Sequence, residues 1–293
     1  MLCLPVKSLK MIKFGPSGTS EDFTAEGHAH TVEMPAWLEA HDLDCFEYSF
    51  GRGVRIQQST AQAIGAEFDK FGKEISVHAP YFINLATQED EKAENNHRYI
   101  FDSLAALTWF GGKRCVVHPG SPLKEERSRA MDILMKRLEE VARLKHEYGY
   151  DDKYLCLETM GKQAQLGTLD EVIRMCSLDK TFIPCVDFGH LNARDLGVFY
   201  SKDDYKRAVD RLLEGVGEEK TNIMHVHFSK IEYSAKGEVR HLTFDDEKFG
   251  PPYEPLMEVF AEYNLQPYVV CESAGTQTRD AGLMRRYYYA VKR

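Results

Sequence analysis

The feature that most restricts the fold is an alternation of short apolar runs with longer segments of helical periodicity. The strand-like runs span residues 11–15, 43–50, 74–81, 114–120, 154–160, 183–190, 223–229 and 267–273. The helix-like segments span residues 35–41, 56–71, 89–109, 123–148, 169–176, 203–213, 256–263 and 279–291. Strands that alternate with helices predict parallel β/α units.

Eight such units without a linker predict one closed (β/α)8 TIM barrel over residues 11–293. An open, doubly wound sheet is the alternative. Residues 1–10 are interpreted as a ragged N-terminal extension, because the first strand-like run begins only at Met11. They lack the long apolar region and cleavage site of a secretory signal.

Composition restricts the location and the partners. The seven cysteines form no C-x-x-C pair, and most of them fall inside predicted strands, which favours a reducing, cytoplasmic location. No apolar run approaches the roughly 18 residues of a membrane span, so no membrane partner is expected. The net charge of −9 argues against a broadly basic nucleic-acid-binding surface. A local site is still compatible with this charge, because bound divalent cations invert the charge around them.

Six consecutive strands end in a residue that can bind a metal. These residues are His78, His118, Glu158, Asp187, His227 and Glu272. In a barrel the carboxyl ends of the strands converge on the face where active sites are built. Together with His190, just beyond Asp187, the set is too large for one ion and predicts two or three. Mixed nitrogen and oxygen ligands suit zinc, or manganese or iron.

Other assignments were possible for individual residues. Asp187 also fits the N-cap of a following helix, with His190 incidental. His225 shares a strand face with His227 but lies deeper, so it is predicted to pack in the barrel interior; the alternative is that His225 is the ligand instead of His227. The remaining histidines fall on loops or outer helices and are predicted to be ordinary surface residues: His28, His30, His41, His97 and His146.

The motifs at the strand ends resemble those of the endonuclease IV family of apurinic/apyrimidinic endonucleases, in order from about Met11 to the C-terminus. They are VHAPYFINL (77–85), VVHPGS (116–121), LETM (157–160), VDFGH (186–190), HVHFSK (225–230) and CES (271–273). The motifs at strands three and four are specific to that family. The Glu, Asp, His, Glu subset is shared with xylose-isomerase-like sugar isomerases and epimerases.

The resemblance implies a metal-dependent endonuclease that cleaves 5′ to abasic sites in double-stranded DNA, leaves a 3′-hydroxyl and acts as a monomer. His78 and His118 would bind the first zinc ion, and Glu158 would bridge to the second as the key catalytic carboxylate. The second ion would be completed by Asp187, His227 and Glu272, and a third would be held by His190 and His241. The residues implied near the DNA are Tyr81 and Arg52.

One departure from the family pattern lies before His241. The family has Asp-Arg-His, whereas this chain has Val239-Arg240-His241. In an extended segment residues i and i+2 face the same way, so Val239 is expected to point with His241 and to supply no ligand. Glu238 would need a kink to reach the site. The third ion is therefore expected to bind weakly, unless Glu238, Asp245 or Asp246 supplies a carboxylate.

Two other functions fit parts of the pattern. One is a binder of damaged DNA that keeps the metals but has lost turnover through Val239. The other is a sugar isomerase or epimerase that uses one manganese or zinc ion, and His78 and His118 count against it because that chemistry needs no second, nitrogen-rich site. Its ligands would be Glu158, Asp187, His227 and Glu272.

Overall fold

In the computed structural model, which describes residues 11–292, the eight apolar runs form one parallel sheet. The extension predicted over residues 1–10 lies outside the described residues. The barrel strands are β1 (Lys13–Pro16), β2 (Cys45–Ser49), β3 (Glu74–His78), β4 (Arg114–Val117), β5 (Tyr154–Glu158), β6 (Phe182–Asp187), β7 (His225–Phe228) and β10 (Tyr268–Cys271). Between β7 and β10 lies a hairpin of β8 (Lys230–Ser234) and β9 (Gly237–Leu242).

The strands follow one another around the barrel in sequence order, which excludes the doubly wound alternative. The ring is nearly closed between β1 and β2. There the Asp44 N–H donates to the carbonyl of Phe14 (2.8 Å) and the Gly18 N–H donates to the carbonyl of Glu47 (3.0 Å). The predicted (β/α)8 barrel is confirmed.

Helices connect the strands and cover the outside of the barrel. They are α1 (Glu21–Ala25), a 3-10 turn (Thr31–Glu33), α2 (Met34–Ala40), α3 (Gln58–Lys70), α4 (Asp90–Trp109), α5 (Arg127–Glu147), α6 (Leu169–Cys176), α7 (Phe188–Arg194), α8 (Lys202–Asn222), α9 (Glu254–Glu262) and α10 (Gln277–Val291). No helix within residues 11–292 is long and apolar enough to cross a membrane.

The strand predicted over residues 183–190 is too long. β6 ends at Asp187, and α7 begins at Phe188 without an intervening loop. The carboxylate of Asp187 accepts the backbone N–H of His190 at 2.7 Å and so caps the helix. This direct strand-to-helix junction places Asp187 and His190 side by side at the carboxyl end of the barrel.

Candidate metal centre

Glu158 lies at the centre of the carboxyl-terminal face, buried at the end of β5. Its Oε2 lies 3.2 Å from Nε2 of His78 and 2.9 Å from Nε2 of His118. Its Oε1 lies 3.3 Å from Nδ1 of His190 and 3.3 Å from Nδ1 of His227. Because its two oxygens face different pairs of imidazoles, the carboxylate has the geometry of a ligand that bridges two ions.

Among the described residues, three of the four groups of potential ligands surround this carboxylate, and within each group the ligand atoms lie within 4.8 Å of one another. The first group is His78, His118 and Glu158. The second group is Glu158, Asp187, His227 and Glu272. The third group is His190, Glu238 and His241. All eight predicted metal residues are thus brought together with Glu238 added, while metal binding by them stays a prediction.

Four of the imidazoles make hydrogen bonds through Nδ1 to residues that are not themselves potential ligands. The contacts are His78 to the Ala79 carbonyl (2.7 Å), His118 to the Tyr81 carbonyl (3.2 Å), His190 to the Thr159 carbonyl (3.0 Å) and His241 to the Ser229 hydroxyl (2.8 Å). A carbonyl can only accept, so in their neutral form the first three rings carry the proton on Nδ1 and keep the Nε2 lone pair free for a metal. Metal-binding histidines are oriented in this way by outer partners.

Asp187 offers a further test of whether a cation fits. Its Oδ1 caps α7, but its Oδ2 is buried and has no hydrogen-bond partner among the described residues. Nδ1 of His190 lies 3.0 Å from Oδ2 without forming a hydrogen bond to it. A buried carboxylate oxygen without a partner is unfavourable, and a cation would satisfy it. The N-cap and ligand interpretations of Asp187 are therefore compatible, with one oxygen for each.

The charges of the site are strongly coupled. Burial alone would raise the pKa of Glu158, but His118 and His227 hold it well below its usual range. Burial opposes charge on His78 as well, yet Glu158 raises the pKa of His78 to about 9. Against the same effect of burial, Asp187 and Glu158 raise the pKa of His190 to about 10. The carboxylates therefore stabilise positive charge next to them. In the metal-free chain protonated imidazoles carry this charge, and bound ions would replace those protons.

The β8–β9 hairpin contains a β-bulge that the sequence did not reveal. Tyr233 pairs with Glu238, whereas the preceding Glu232 pairs with Arg240, so Val239 is the extra residue. A bulge bends its strand and changes the direction of the side chains that follow. Val239 is 51% exposed. The expectation that Val239 points with His241 is therefore wrong.

The same bulge directs Glu238 into the third group. Its Oε2 lies 3.6 Å from Nε2 of His190. The Glu238 N–H donates to the carbonyl of Gly161 at 3.0 Å, which fixes the hairpin against the loop after β5. A Cβ on Gly161 would lie 2.7 Å from that of Glu238, so glycine leaves room for the carboxylate. The expectation of a third group without a carboxylate is wrong. The bulge provides the change of direction that Glu238 needs to reach the site.

The other two carboxylates considered for the third group are engaged elsewhere. Oδ2 of Asp245 lies 2.7 Å from the guanidinium of Arg279. Oδ1 of Asp246 accepts the backbone N–H groups of Lys248 and Phe249 at 2.9 and 2.7 Å. Both side chains stabilise the loop after the hairpin instead of reaching the third group.

A cavity of about 320 Å³ lies above the ligand groups, and Ser49 lines both this cavity and a neighbouring groove of about 890 Å³. Tyr81, predicted near the DNA, lines the cavity and is 60% exposed. Arg52, the other predicted DNA contact, lines the groove together with Arg55. The two residues therefore border neighbouring depressions on the same face of the barrel.

The remaining histidines lie outside the three groups. His225 is fully buried, in agreement with its predicted place in the barrel interior. Nε2 of His225 lies 3.0 Å from the carboxylate of Glu47, a buried residue that the sequence analysis missed. The only signal for Glu47 was a lone acidic residue inside an apolar run. The five histidines predicted at the surface are exposed or partly exposed: His28, His30, His41, His97 and His146.

Metal content provides the first measurable prediction. We expect gently purified protein to contain two to three divalent ions per chain by elemental analysis, because three groups are preformed. His118→Ala should remove one ion by opening the first group, whereas the matched change His30→Ala, at an exposed position, should remove none. A single ion that survives His118→Ala would contradict a separate first site.

The sequence of this chain is similar to those of several known proteins. The model of the family described as "Xylose isomerase-like TIM barrel" matches residues 35–286. An uncharacterized protein of Methanocaldococcus jannaschii is 30% identical over 280 residues, which cover 95% of this chain and 97% of that protein. A probable endonuclease 4 of Mycoplasmoides gallisepticum is 29% identical over 185 residues, which cover 61% of this chain and 58% of that protein.

Two solved structures are similar to nearly the same degree. A D-tagatose 3-epimerase-like protein has a TM-score of 0.70 and 20% identity, with 96% of this chain and 98% of that chain covered. Endonuclease IV from Thermus thermophilus has a TM-score of 0.69 and 19% identity, with 95% of this chain and 99% of that chain covered. Backbone similarity at this identity shows the fold and does not separate the two activities.

Proposed function

We propose that this chain, which belongs to the xylose isomerase-like TIM barrel family, is a metal-dependent endonuclease that cleaves double-stranded DNA 5′ to abasic sites and leaves a 3′-hydroxyl. The observation that carries the proposal is the pair His78 and His118, whose Nε2 atoms face one oxygen of Glu158. Together with the third group, this pair provides for more than one ion. Clustered divalent ions are typical of enzymes that displace groups at phosphorus.

The protein's own groups suit a phosphodiester. Divalent ions at the three groups would activate a water and neutralise charge on the phosphate oxygens. Glu158 would hold the first and second groups at a constant separation, because one of its oxygens faces each group. Lys162 is the only ammonium or guanidinium group that lines the cavity among the described residues, and it would attract a phosphate. Arg52 and Arg55 extend positive charge along the adjoining groove.

Selectivity for damage follows from stacking. An abasic nucleotide has no base to unstack, so its extrusion into a cavity costs less than flipping a normal nucleotide. Tyr81 stands exposed at the edge of the cavity and offers a ring for a base beside the lesion. The partial match to a probable endonuclease 4 supports an endonuclease activity.

The second candidate is a sugar isomerase or epimerase with one divalent ion at the second group. It is favoured by the completeness of Glu158, Asp187, His227 and Glu272 as a four-ligand set and by the similarity to the epimerase-like structure. This second candidate function gives no role to His78 and His118, which argues against it.

The deciding experiment uses a duplex that carries one abasic-site analogue, with an undamaged duplex of the same sequence as the control. We expect a single cut 5′ to the lesion that disappears with chelator and returns with Zn²⁺ or Mn²⁺. Tight binding of the damaged duplex without cutting would indicate a damage binder. Epimerisation of free ketoses without DNA cutting would support the second candidate and overturn the proposal.

A further inference from the structure

The barrel interior directly below the ligand groups is unusually polar. Inward-facing positions of a (β/α)8 barrel are usually filled by branched apolar side chains. Here the positions two residues before Ser49, His78, Asp187 and His227 are Glu47, Ser76, Cys185 and His225, and all four are fully buried. A buried charge is unfavourable unless it is paired, so the carboxylate of Glu47 requires an explanation.

The contacts of Glu47 lead to the second ligand group. Its Oε2 accepts a hydrogen bond from Oγ of Ser76 at 3.0 Å and lies 3.0 Å from Nε2 of His225. Its Oε1 lies 2.9 Å from Nε2 of His227, although the direction of the ring does not meet the geometry of a hydrogen bond. Glu47 is thus the carboxylate that faces His227 from below.

The opposite side of the His227 ring faces the centre of the site. Its Nδ1 lies 3.3 Å from Oε1 of Glu158 and 3.5 Å from Oε2 of Glu272. The ring is fully buried, and one nitrogen faces each layer of the barrel. If Nε2 carries the proton toward Glu47, the lone pair of Nδ1 is free for a cation. The other four imidazoles of the site rest on uncharged oxygens, so His227 alone has a carboxylate in this position.

We propose that Glu47 is a positioning residue: once Nδ1 of His227 binds an ion, the buried negative charge of Glu47 stabilises the proton on Nε2 and so makes Nδ1 a stronger ligand for the ion of the second group. The inference rests on the metal centre of the proposed function and deepens it, but it is independent of whether the substrate is DNA or a sugar. Carboxylates behind a metal-binding histidine typically change metal affinity by about 10- to 100-fold.

The test removes the charge and keeps the shape. In Glu47→Gln the affinity of one ion should fall by about 10- to 100-fold, while an ion at the first group, His78 and His118, should bind as in the wild type. Chelator competition on the purified protein measures both affinities without any turnover. Glu47→Asp, which retains the charge, should lose less affinity than Glu47→Gln. The control Ser76→Ala removes the hydroxyl that donates to Glu47 but retains the charge of Glu47, so it should leave both affinities near normal.

Three outcomes separate this inference from its alternatives. Unchanged affinities in Glu47→Gln, with a normal circular dichroism spectrum, would overturn it while leaving the metal centre intact. Equal losses in Glu47→Gln and Ser76→Ala would indicate a general packing effect and would also overturn it. Wild-type protein that binds the ions but does not cut abasic DNA would overturn the proposed function alone.

Cobalt substitution tests whether an ion occupies the interior cluster itself. The ligand atoms of Cys185, His225 and His227 lie within 4.8 Å of one another, and this is the only cysteine-containing potential metal group among the described residues. Because the three groups of the metal centre contain only nitrogen and oxygen ligands, we expect Co²⁺-loaded protein to show no thiolate charge-transfer absorption. Such absorption, lost in Cys185→Ser, would place an ion beside Glu47 and overturn its role as a positioning residue.

Discussion

Glu158→Gln should abolish cleavage of abasic DNA while leaving the barrel folded. The substitution keeps the shape of the side chain but removes the charge that faces four imidazoles. A bridging group acts in both ligand groups at once, so we expect a loss of several kcal/mol in transition-state stabilisation, or about a thousandfold or more in rate. Single-turnover cleavage at saturating Zn²⁺ or Mn²⁺ measures this loss.

The control for Glu158→Gln is Glu139→Gln, the same chemical change at an exposed position of α5. It should retain full activity. Metal analysis of Glu158→Gln should show that both the first and the second ion bind more weakly, and circular dichroism should show an unchanged fold. Near-normal cleavage by this variant would mean that Glu158 does not bridge two ions. Loss of only one ion would assign Glu158 to a single site.

Glu238→Gln should weaken the third ion and make cleavage depend on added metal. Glu238 is the only carboxylate of the third group, with Oε2 3.6 Å from Nε2 of His190. Loss of an anionic ligand should lower the affinity at least as much as loss of an outer partner, by about 10- to 100-fold. The rate of cleavage against added Zn²⁺ or Mn²⁺, together with the number of ions per chain, measures the effect.

Val239→Asp is the informative companion, because it installs the residue that the endonuclease IV pattern has at this position. At the extra position of the bulge, with a half-exposed side chain, a new carboxylate should point to solvent and change neither occupancy nor rate. Glu232→Gln, on the opposite strand of the hairpin, serves as the control for a charge change. If Val239→Asp raised occupancy of the third site and Glu238→Gln had no effect, β9 would have the regular register in solution.

The sequence by itself determined the order of the barrel strands and placed most of the candidate ligands on one face. Apolar runs that alternate with helical segments are local patterns, and a strand that ends in His or a carboxylate places that residue on the carboxyl-terminal face of any parallel barrel. The pattern therefore predicts the face of the barrel on which four residues lie without knowledge of the distances between them: His78, His118, Glu158 and Asp187. The boundaries were less accurate, because the residues after Asp187 belong to a helix that its own side chain caps.

Only the tertiary structure decided how β1 meets β2, which carboxylate joins the third ligand group, and where Glu47 lies. Closure depends on backbone hydrogen bonds between β1 and β2, which no local pattern reports. The direction of Glu238 depends on the register between β8 and β9, and one extra residue, Val239, reverses the side of every residue beyond it. Glu47 meets His225 and His227 across the barrel, from strands far apart in the chain. Periodicity describes one segment at a time, whereas register and burial arise only when two segments pack.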